Sequence, residues 1–222
     1  MKIATWNVER LKHRKALNDI VSICERVSAD IMVLTETDAQ IRLPYRHSFH
    51  TPRAAEVNPS LYTPTENRVS IFTNYPCVAQ HCTFDEYTAL CIELETEMGR
   101  LAVYGTIIGV YGNRHRSFKT DLERQIEDYK RLAQTVPNLC ICGDFNCSFA
   151  DNYYYTKQGR YALEQSFSEN RLMLLTGAVG ECIDHIAVSG AFCAGADIAI
   201  EEWNLDRTLS DHKGIAVSFN LV

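Results

Sequence analysis

The sequence predicts an α/β (α+β) fold in which two β-sheets pack together and helices cover their outer faces. Many short apolar segments have the length of strands, whereas only a few segments carry apolar residues at helical spacing. Three strand candidates in mid-chain, Arg68 to Thr73, Ala89 to Glu95 and Leu101 to Ile108, follow one another without a helix. This succession argues against a single parallel sheet, because parallel strands need long crossover connections. At 222 residues, positions 1–222 are expected to form one domain.

The first part of the chain predicts a strand, a helix and a second strand. Lys2 to Trp6 is typical of a short strand, and Lys15 to Val27 has an apolar stripe at helical spacing. Ile31 to Leu34 follows as a second apolar strand, so the three elements indicate a crossover unit. Pro44 to Pro64 is rich in Pro, His, Arg and Ser and predicts a long loop.

The second part of the chain predicts two further helices separated by a buried strand. Ser117 to Val136 is amphipathic, Leu139 to Cys142 is an apolar strand, and Gln158 to Leu172 is predicted to be helical. Three more strands are expected at Ile183 to Val188, Asp197 to Glu202 and Gly214 to Leu221.

Composition and charge exclude several classes of protein. The chain is 46% hydrophobic and 23% charged, with a formal net charge of -6, so a strongly basic, non-specific nucleic-acid binder is not indicated. Its nine cysteines lack paired C-x-x-C spacing, which favours reduced thiols and a cytoplasmic location over a disulfide framework. The N-terminus does not resemble a signal peptide, and no apolar run has the length of a membrane span.

Polar side chains stand at or near the ends of five predicted strands. Each has an ordinary explanation when taken alone, as a turn former, a helix cap or a solvated loop residue. A buried carboxylate within an apolar strand is the exception, because it is costly unless it is paired. Strand ends at one edge of a sandwich lie close in space, so the set as a whole predicts one shared site. Its members are Asn7, Glu9, Glu36, Asp144, Asn146, Asp184, Asp211 and His212.

The segments that contain these residues also resemble a known family. "TWNVE", "LTET", "GDFN", "IDHIAVS" and "SDH" occur in the same order as the hallmark motifs of the endonuclease/exonuclease/phosphatase superfamily. The resemblance extends from Lys2 to the C-terminus. It implies a four-layer sandwich of two packed mixed β-sheets flanked by helices, and it implies hydrolysis of phosphate esters.

The resemblance also implies a divalent metal ion, Mg²⁺ or Mn²⁺. Glu36 corresponds to the principal metal ligand, with Asn7 beside it and Asp211 helping to hold the ion or its water. Glu9 stands where related nucleases carry an aspartate near the metal. Oxygen ligands of this kind are those that hard cations prefer.

Four further residues are catalytic by the same resemblance. Asp144 would orient or deprotonate the attacking water, and Asn146 would bind a non-bridging phosphate oxygen. Asp184 would pair with His212, which would contact the scissile phosphate. An imidazole held by a carboxylate has a fixed tautomer and is biased toward the cation, which suits stabilisation of a phosphoryl oxyanion.

The sequence departs from the family pattern at one strand end. Many nucleases of the superfamily have a Tyr or His that contacts phosphate where this chain has Thr106. The sequence therefore leaves open which residue makes that contact. The loop that follows contains Asn113, Arg114 and Arg116 before a helix, and it is either a substrate contact or a solvated basic turn. His185 is expected on the opposite strand face and receives no catalytic role.

The function predicted from these motifs is a metal-dependent phosphoesterase that hydrolyses phosphodiester bonds, a nuclease acting on DNA or RNA. A phosphatase or phosphodiesterase for a small substrate, such as an inositol phosphate, a nucleotide or a lipid head group, is the alternative. A third possibility is a binding protein that has kept the fold and lost activity. The acidic charge and the short segment between Asn146 and Asp184 predict weak contact with long duplex DNA. Oligomeric state is not determined by the sequence.

Overall fold

The strands of the protein form two mixed six-stranded sheets, in a computed structural model that describes residues 1–12 and 16–221. In spatial order the first sheet contains β11 (Ala196–Trp203), β12 (Gly214–Leu221), β1 (Lys2–Asn7), β2 (Ile31–Asp38), β4 (Glu66–Thr73) and β3 (His47–His50). The second contains β5 (Cys77–His81), β6 (Ala89–Thr96), β7 (Gly99–Ile107), β8 (Leu139–Asp144), β10 (Asp184–Ser189) and β9 (Leu172–Leu174). Parallel pairing joins β1 to β2 and β7 to β8, and antiparallel pairing joins the other neighbouring strands of the described chain.

Helices cover the outer faces of the two sheets. They are α1 (Leu17–Val27), the short α2 (Ala54–Val57), α3 (Phe118–Thr135) and α4 (Lys157–Glu169). Helix α1 buries Ile20, Cys24 and Val27 against the first sheet and ends at Ser28, whose φ of 49° closes the helix in the left-handed region. The predicted start of this helix, Lys15, lies outside the described residues.

Helices α3 and α4 form the other outer layer, against the second sheet. Phe118, Leu122 and Leu132 of α3 are buried in the same cluster as Leu163 of α4. The four layers are therefore α1, the first sheet, the second sheet, and the α3–α4 pair. The predicted fold class, a four-layer sandwich, is confirmed.

The core between the sheets is built from the inward-facing residues of the central strands. Val33, Val69, Val103 and Ile186 all belong to this cluster and are fully buried. Gly105 permits the closest approach, since a Cβ atom there would lie 2.8 Å from Val69 Cγ1 of the opposite sheet. This close packing holds the edges of the two sheets at a defined separation.

The interpretation of Pro44 to Pro64 as a long loop is wrong. The segment contains strand β3 at the edge of the first sheet and the short helix α2. Strands β5 and β9 were not predicted either. All three strands are short and lie at or next to a sheet edge, so their side chains are only partly buried and lack a clear alternation.

None of the helices in the described chain is long and apolar enough to cross a membrane. Each of the nine cysteines is a free thiol.

Candidate active site

The polar strand ends of the two sheets meet at one edge of the sandwich. Asn7 is the last residue of β1, and Asp144 is the last residue of β8. Asp184 begins β10 directly opposite Asp144 in the antiparallel register. The Asn7 amide donates a hydrogen bond of 3.1 Å from Nδ2 to Oδ2 of Asp144, which joins the two sheets at this edge.

A cleft of about 350 Å³ opens above this junction. Six of the residues predicted from the sequence line it: Glu36, Asp144, Asn146, Asp184, Asp211 and His212. Asn7 lies behind Asp144 and is 1% exposed. The structure therefore brings together residues that are separated by up to about two hundred positions in the chain.

Glu36 differs from the sequence prediction in its place on the strand. It was expected to follow the second strand, but β2 continues through it to Asp38. Its φ of 44° lies in the left-handed region, which costs a non-glycine residue about 1–3 kcal/mol. Such strain is retained where the surrounding structure holds the residue in place, and it is frequent at functional sites.

Asp184 and His212 form the tightest polar contact in the cleft. His212 Nδ1 lies 2.5 Å from Asp184 Oδ2, and the Asp184 side chain is 1% exposed. Burial alone lowers the pKa of His212, but the attraction of the Asp184 carboxylate, aided by Asp144 and Asp211, outweighs burial and raises it to about 10. The imidazole is therefore positively charged at neutral pH, and its Nε2 lies 3.7 Å from Asp211 Oδ1 at the rim of the cleft.

The segment that carries His212 is held by several side-chain contacts. Trp6 Nε1 and Asn204 Nδ2 donate to the His212 carbonyl at 3.1 and 2.7 Å. Ser210 Oγ donates to the Asn7 carbonyl at 2.6 Å. These contacts join the turn before β12 to the end of β1, so the imidazole is positioned by the sheet and not by a free loop.

The carboxylates of the cleft are destabilised by burial and by one another. Burial raises the pKa of Asp144 to about 7, and the nearby Asp184 and Glu36 carboxylates add to the rise against the opposing charge of His212. The pKa of Glu36 is also raised, mainly by burial and further by Asp211. Concentrated negative charge of this kind is relieved when a cation binds beside it.

The oxygen atoms in and beside the cleft are suitable ligands for a hard cation. The described residues contain no preformed group of three His, Cys, Asp or Glu side chains that would hold a metal. Carboxylate oxygens of Glu36 and Asp144 and the neighbouring Asn7 amide are the oxygen ligands that Mg²⁺ prefers. Asp184 Oδ1 is buried without a hydrogen-bond partner within the described chain, which indicates room for a further polar group. The side chain of Asp211 is 64% exposed at the rim.

Asn146 closes the turn after β8 in a left-handed conformation, with φ of 49°. Its backbone N–H donates to Asp144 Oδ1 at 2.8 Å, and its carbonyl accepts from Asn113 Nδ2 at 2.9 Å. The amide Nδ2 of Asn146 donates to the carbonyls of Ile108 and Gly109 at 3.0 and 3.3 Å. In this arrangement the amide faces the chain, so the residue orients Asp144 through its backbone.

The predicted substrate-contact loop divides into a buried and an exposed part. Asn113 is buried against Asn146, whereas Arg114 and Arg116 are exposed and do not line the cleft. Glu9, the other acidic residue near the first motif, accepts from Lys12 Nζ at 2.8 Å and from the backbone N–H of Asp211 at 3.2 Å.

Three polar residues that follow or flank the motifs face the outer helical layer. Thr106 donates to Gln125 at 2.7 Å, and Tyr104 donates to Asp128 at 3.0 Å. His185 is fully buried beside Thr176, and burial lowers its pKa to about 4. These side chains support the packing of the second sheet and do not enter the cleft.

The rim of the cleft contains residues that the motifs did not indicate. Arg207 lies over the Tyr153 ring, 4.9 Å from its centroid, and pairs with Glu181 at 3.3 Å. Lys213 pairs with Glu202 at 2.8 Å. Lys213 directly follows the "SDH" motif, and this adjacency was the one signal in the sequence that pointed to it.

The geometry agrees with a match to a known family. The model of the endonuclease/exonuclease/phosphatase family matches residues 4–212. The chain belongs to this family. As its name states, the endonuclease/exonuclease/phosphatase family comprises enzymes that cleave phosphate esters, and residues Asn7 to His212 of the cleft all lie within the matched range.

Solved structures with the same fold are similar over nearly the whole chain. A 3′ phosphatase from Neisseria, bound to a product DNA hairpin, is 19% identical with a TM-score of 0.73, over 99% of both chains. An AP endonuclease from Archaeoglobus fulgidus is 14% identical with a TM-score of 0.72, over 100% of both. An AP endonuclease from Leishmania major is 15% identical with a TM-score of 0.71, over 100% of this chain and 88% of that one. No curated protein sequence matches the chain.

Proposed function

We propose that this protein is a divalent-metal-dependent hydrolase of phosphodiester bonds in nucleic acid, with the cleft between the two sheet edges as its active site. The observation that carries the proposal is the buried Asp184–His212 pair beside Asp144, which combines a cation and a base in one cleft. Family membership supports phosphoester hydrolysis. The neighbouring structures, a 3′ phosphatase with bound DNA and AP endonucleases, support nucleic acid as the substrate class.

In this proposal Asp144 is the general base. Burial raises its pKa to about 7, so the carboxylate is a stronger base than an exposed aspartate. Asn7 Nδ2 and the Asn146 N–H each hold one of its oxygens, which fixes the direction of the lone pairs. The water oxygen forms a bond to phosphorus, its proton passes to Asp144, and the ester P–O bond breaks with its electron pair on the leaving oxygen.

His212 stabilises the negative charge that develops on the phosphoryl oxygens. Asp184 holds Nδ1, so Nε2 is the donor that faces substrate. A hydrogen-bond donor that is already oriented toward the developing charge does not have to reorient during the reaction. Such a donor contributes about 10²–10³-fold to the rate. Arg207 and Lys213, each ion-paired with a glutamate, offer N–H donors at the rim where the substrate enters.

Glu36 is the principal residue that would hold Mg²⁺ or Mn²⁺, together with Asn7 and, at the rim, Asp211. A bound divalent ion would polarise the phosphoryl oxygen and neutralise developing charge. It would also relieve the mutual repulsion that raises the pKa values of Glu36 and Asp144. Asn113 supports the site through Asn146, and the exposed Arg114 and Arg116 are proposed as outer contacts to the polyanion.

The second candidate is hydrolysis of a small phosphate ester, such as an inositol phosphate, a nucleotide or a lipid head group. The net charge of -6 and the modest cleft of about 350 Å³ favour it over an enzyme that grips a long duplex. Nine free cysteines support a reducing, cytoplasmic location for either activity.

One panel of substrates tests the proposal. Single- and double-stranded DNA, RNA, an abasic duplex, inositol phosphates and nucleotides are incubated with the metal-stripped protein and with added Mg²⁺ or Mn²⁺. Cleavage of a nucleic acid that needs the metal and is lost in His212→Ala supports the proposal. Turnover of a small ester alone selects the second candidate. Absence of hydrolysis throughout overturns the proposal and leaves a binding protein that has lost activity as the remaining alternative.

A further inference from the structure

A second cavity, of about 210 Å³, opens beside the catalytic cleft. Glu36 and Val110 line both, so the two spaces are adjacent. The cavity is formed by the 3₁₀ turn after β1, strand β4 and the segment around α2. We call it the side cavity, and Arg68, Tyr62 and Arg10 form its floor.

Two guanidinium groups lie over one tyrosine ring in the side cavity. Arg68 and Arg10 are 4.8 and 4.5 Å from the centroid of Tyr62. Arg68 also donates from one terminal nitrogen to the Tyr62 hydroxyl at 2.8 Å. Packed in this way, Arg68 is 8% exposed and its side chain is held in one orientation.

The charge of Arg68 is not balanced by a paired carboxylate. Arg10 pairs with Glu66 at 3.0 Å, but within the described chain no carboxylate lies within 4 Å of the Arg68 guanidinium. A nearly buried cation without an ion pair is costly, so such residues are retained for a function more often than for stability.

The unused hydrogen-bond donors of Arg68 face open space. A guanidinium has five N–H donors, and the contact to Tyr62 uses one side-chain donor. Within the described chain none of its nitrogens is both enclosed and unbonded, and Arg68 lines the side cavity and a neighbouring cavity beside Asp121, so the remaining donors reach open space. The positive charge is also close enough to Glu36 to lower the pKa of that carboxyl against the larger effect of burial.

We propose that Arg68 binds the phosphate that neighbours the scissile phosphate on the same nucleic acid strand. This assignment rests on the function proposed above. A fixed guanidinium fork matches two phosphate oxygens, and the side cavity begins where the catalytic cleft ends. Tyr111 lines the side cavity and is 59% exposed as a residue, so it offers a ring face for the base between the two phosphates.

Binding of thymidine oligomers tests the role of Arg68. The dinucleotide TpT has one phosphate, whereas TpTpT has a neighbouring one. Both are titrated by NMR into the ¹⁵N-labelled protein with Ca²⁺, and chromatography checks that they stay intact. In the parent protein TpTpT is expected to bind about 10-fold more tightly, the amount that a charge-assisted contact contributes.

Three variants separate phosphate binding from a structural role. Arg68→Met keeps the packing of the stem and should abolish most of the preference for TpTpT, whereas Arg68→Lys should keep part of it. Arg100→Met, on an exposed strand position that pairs with Glu95, should keep the full preference. An unchanged preference in Arg68→Met overturns the proposal. The proposal is also overturned if Arg68→Met loses affinity for TpT and TpTpT by the same factor and has a lower melting temperature. That result is expected if Arg68 only stabilises the fold.

A parallel hydrolysis assay with Mg²⁺ and Mn²⁺ keeps the two proposals apart. Loss of the TpTpT preference in Arg68→Met, together with no hydrolysis by the parent of any nucleic acid in the panel, supports the phosphate site and overturns the proposed activity. Hydrolysis of TpTpT by the parent together with an unchanged preference in Arg68→Met overturns the phosphate site alone.

Discussion

Replacing Asp184 by Asn is expected to remove the charge that holds His212 in its working state while leaving the fold intact. The two side chains meet at 2.5 Å in a buried contact, and Asp184 lies on a strand that is paired on both sides. Asn has nearly the same shape, so the sheet is preserved. The change therefore tests the carboxylate and not the packing.

The size of the effect follows from the electrostatics of His212. The rise of its pKa from 6.5 to about 10 corresponds to about 5 kcal/mol in favour of the charged imidazole, shared among Asp184, Asp144 and Asp211. Loss of an adjacent carboxylate lowers such a pKa by about 1–3. The pKa of His212 is therefore lower in Asp184→Asn than in the parent. As the pH rises, the imidazole of the variant loses its proton at a lower pH. Hydrolysis should fall by about 10²–10⁴-fold even at a pH where His212 keeps its proton, because the imidazole also loses the carboxylate that orients it through Nδ1.

Two measurements check the expectation. NMR titration of the imidazole Cε1 proton reports the pKa of His212 directly, in the parent and in Asp184→Asn. Rates with Mg²⁺ are then measured for Asp184→Asn, His212→Gln and the double variant on the substrate that the panel identifies. Asp197→Asn, an exposed aspartate on β11, is the matched control and should change neither quantity.

The two residues act as a unit if the double variant loses little more activity than either single variant. Strictly multiplicative losses would refute the reasoning, since they are the signature of independent contributions. An unshifted His212 pKa in Asp184→Asn would refute the electrostatic argument even if activity fell.

Three further changes test the metal ligand, the fold at the site and the effect of pH on stability. Glu36→Gln should weaken Mn²⁺ binding by about 10-fold or more in calorimetry, because it removes the principal carboxylate ligand. The melting temperature should not fall, because burial disfavours the charge of that carboxylate and raises its pKa. The control Glu95→Gln, at an exposed ion pair, should bind Mn²⁺ as the parent does. Gly143→Ala should lower both stability in urea and activity, because a φ of 143° is unfavourable for alanine and the added Cβ would overlap the Thr106 carbonyl oxygen and displace the end of β8. Unchanged unfolding would contradict this expectation. The pKa of His185 is about 4 in the folded protein and 6.5 in the unfolded chain, so acidification protonates the unfolded state first. The free energy of unfolding should therefore fall by about 2 kcal/mol from pH 7 to pH 5 because of this residue. His185→Gln should remove that part of the pH dependence.

Apolar spacing and the ordered motifs together were sufficient for the fold class and for most of the cleft. The spacing of apolar residues predicted helices α1 and α3 and strand β12, because each of these elements buries one face against a large apolar layer. The family resemblance supplied the four layers. Six predicted residues line the cleft because their motifs stand at strand ends, and strand ends at one edge converge whatever their separation in sequence.

Other features had no local signal. The edge strands β3, β5 and β9 are short and half-exposed, so the sheet hydrogen bonds that form them depend on partners distant in sequence. Asn146 was assigned to a phosphate oxygen and the role of Thr106 was left open, but only the packed structure shows Thr106 bonded to helix α3 and the Asn146 amide donating to backbone carbonyls.

The sequence by itself determined which chemical groups are present: carboxylates, an amide and an imidazole at strand ends, in the order of a known family. The tertiary structure decided their charges and their neighbours, because desolvation and distances between groups on different strands set the pKa values of Asp144 and His212. It also placed Arg68 beside Glu36, since only the pairing of β2 with β4 brings those two residues to the same end of the first sheet.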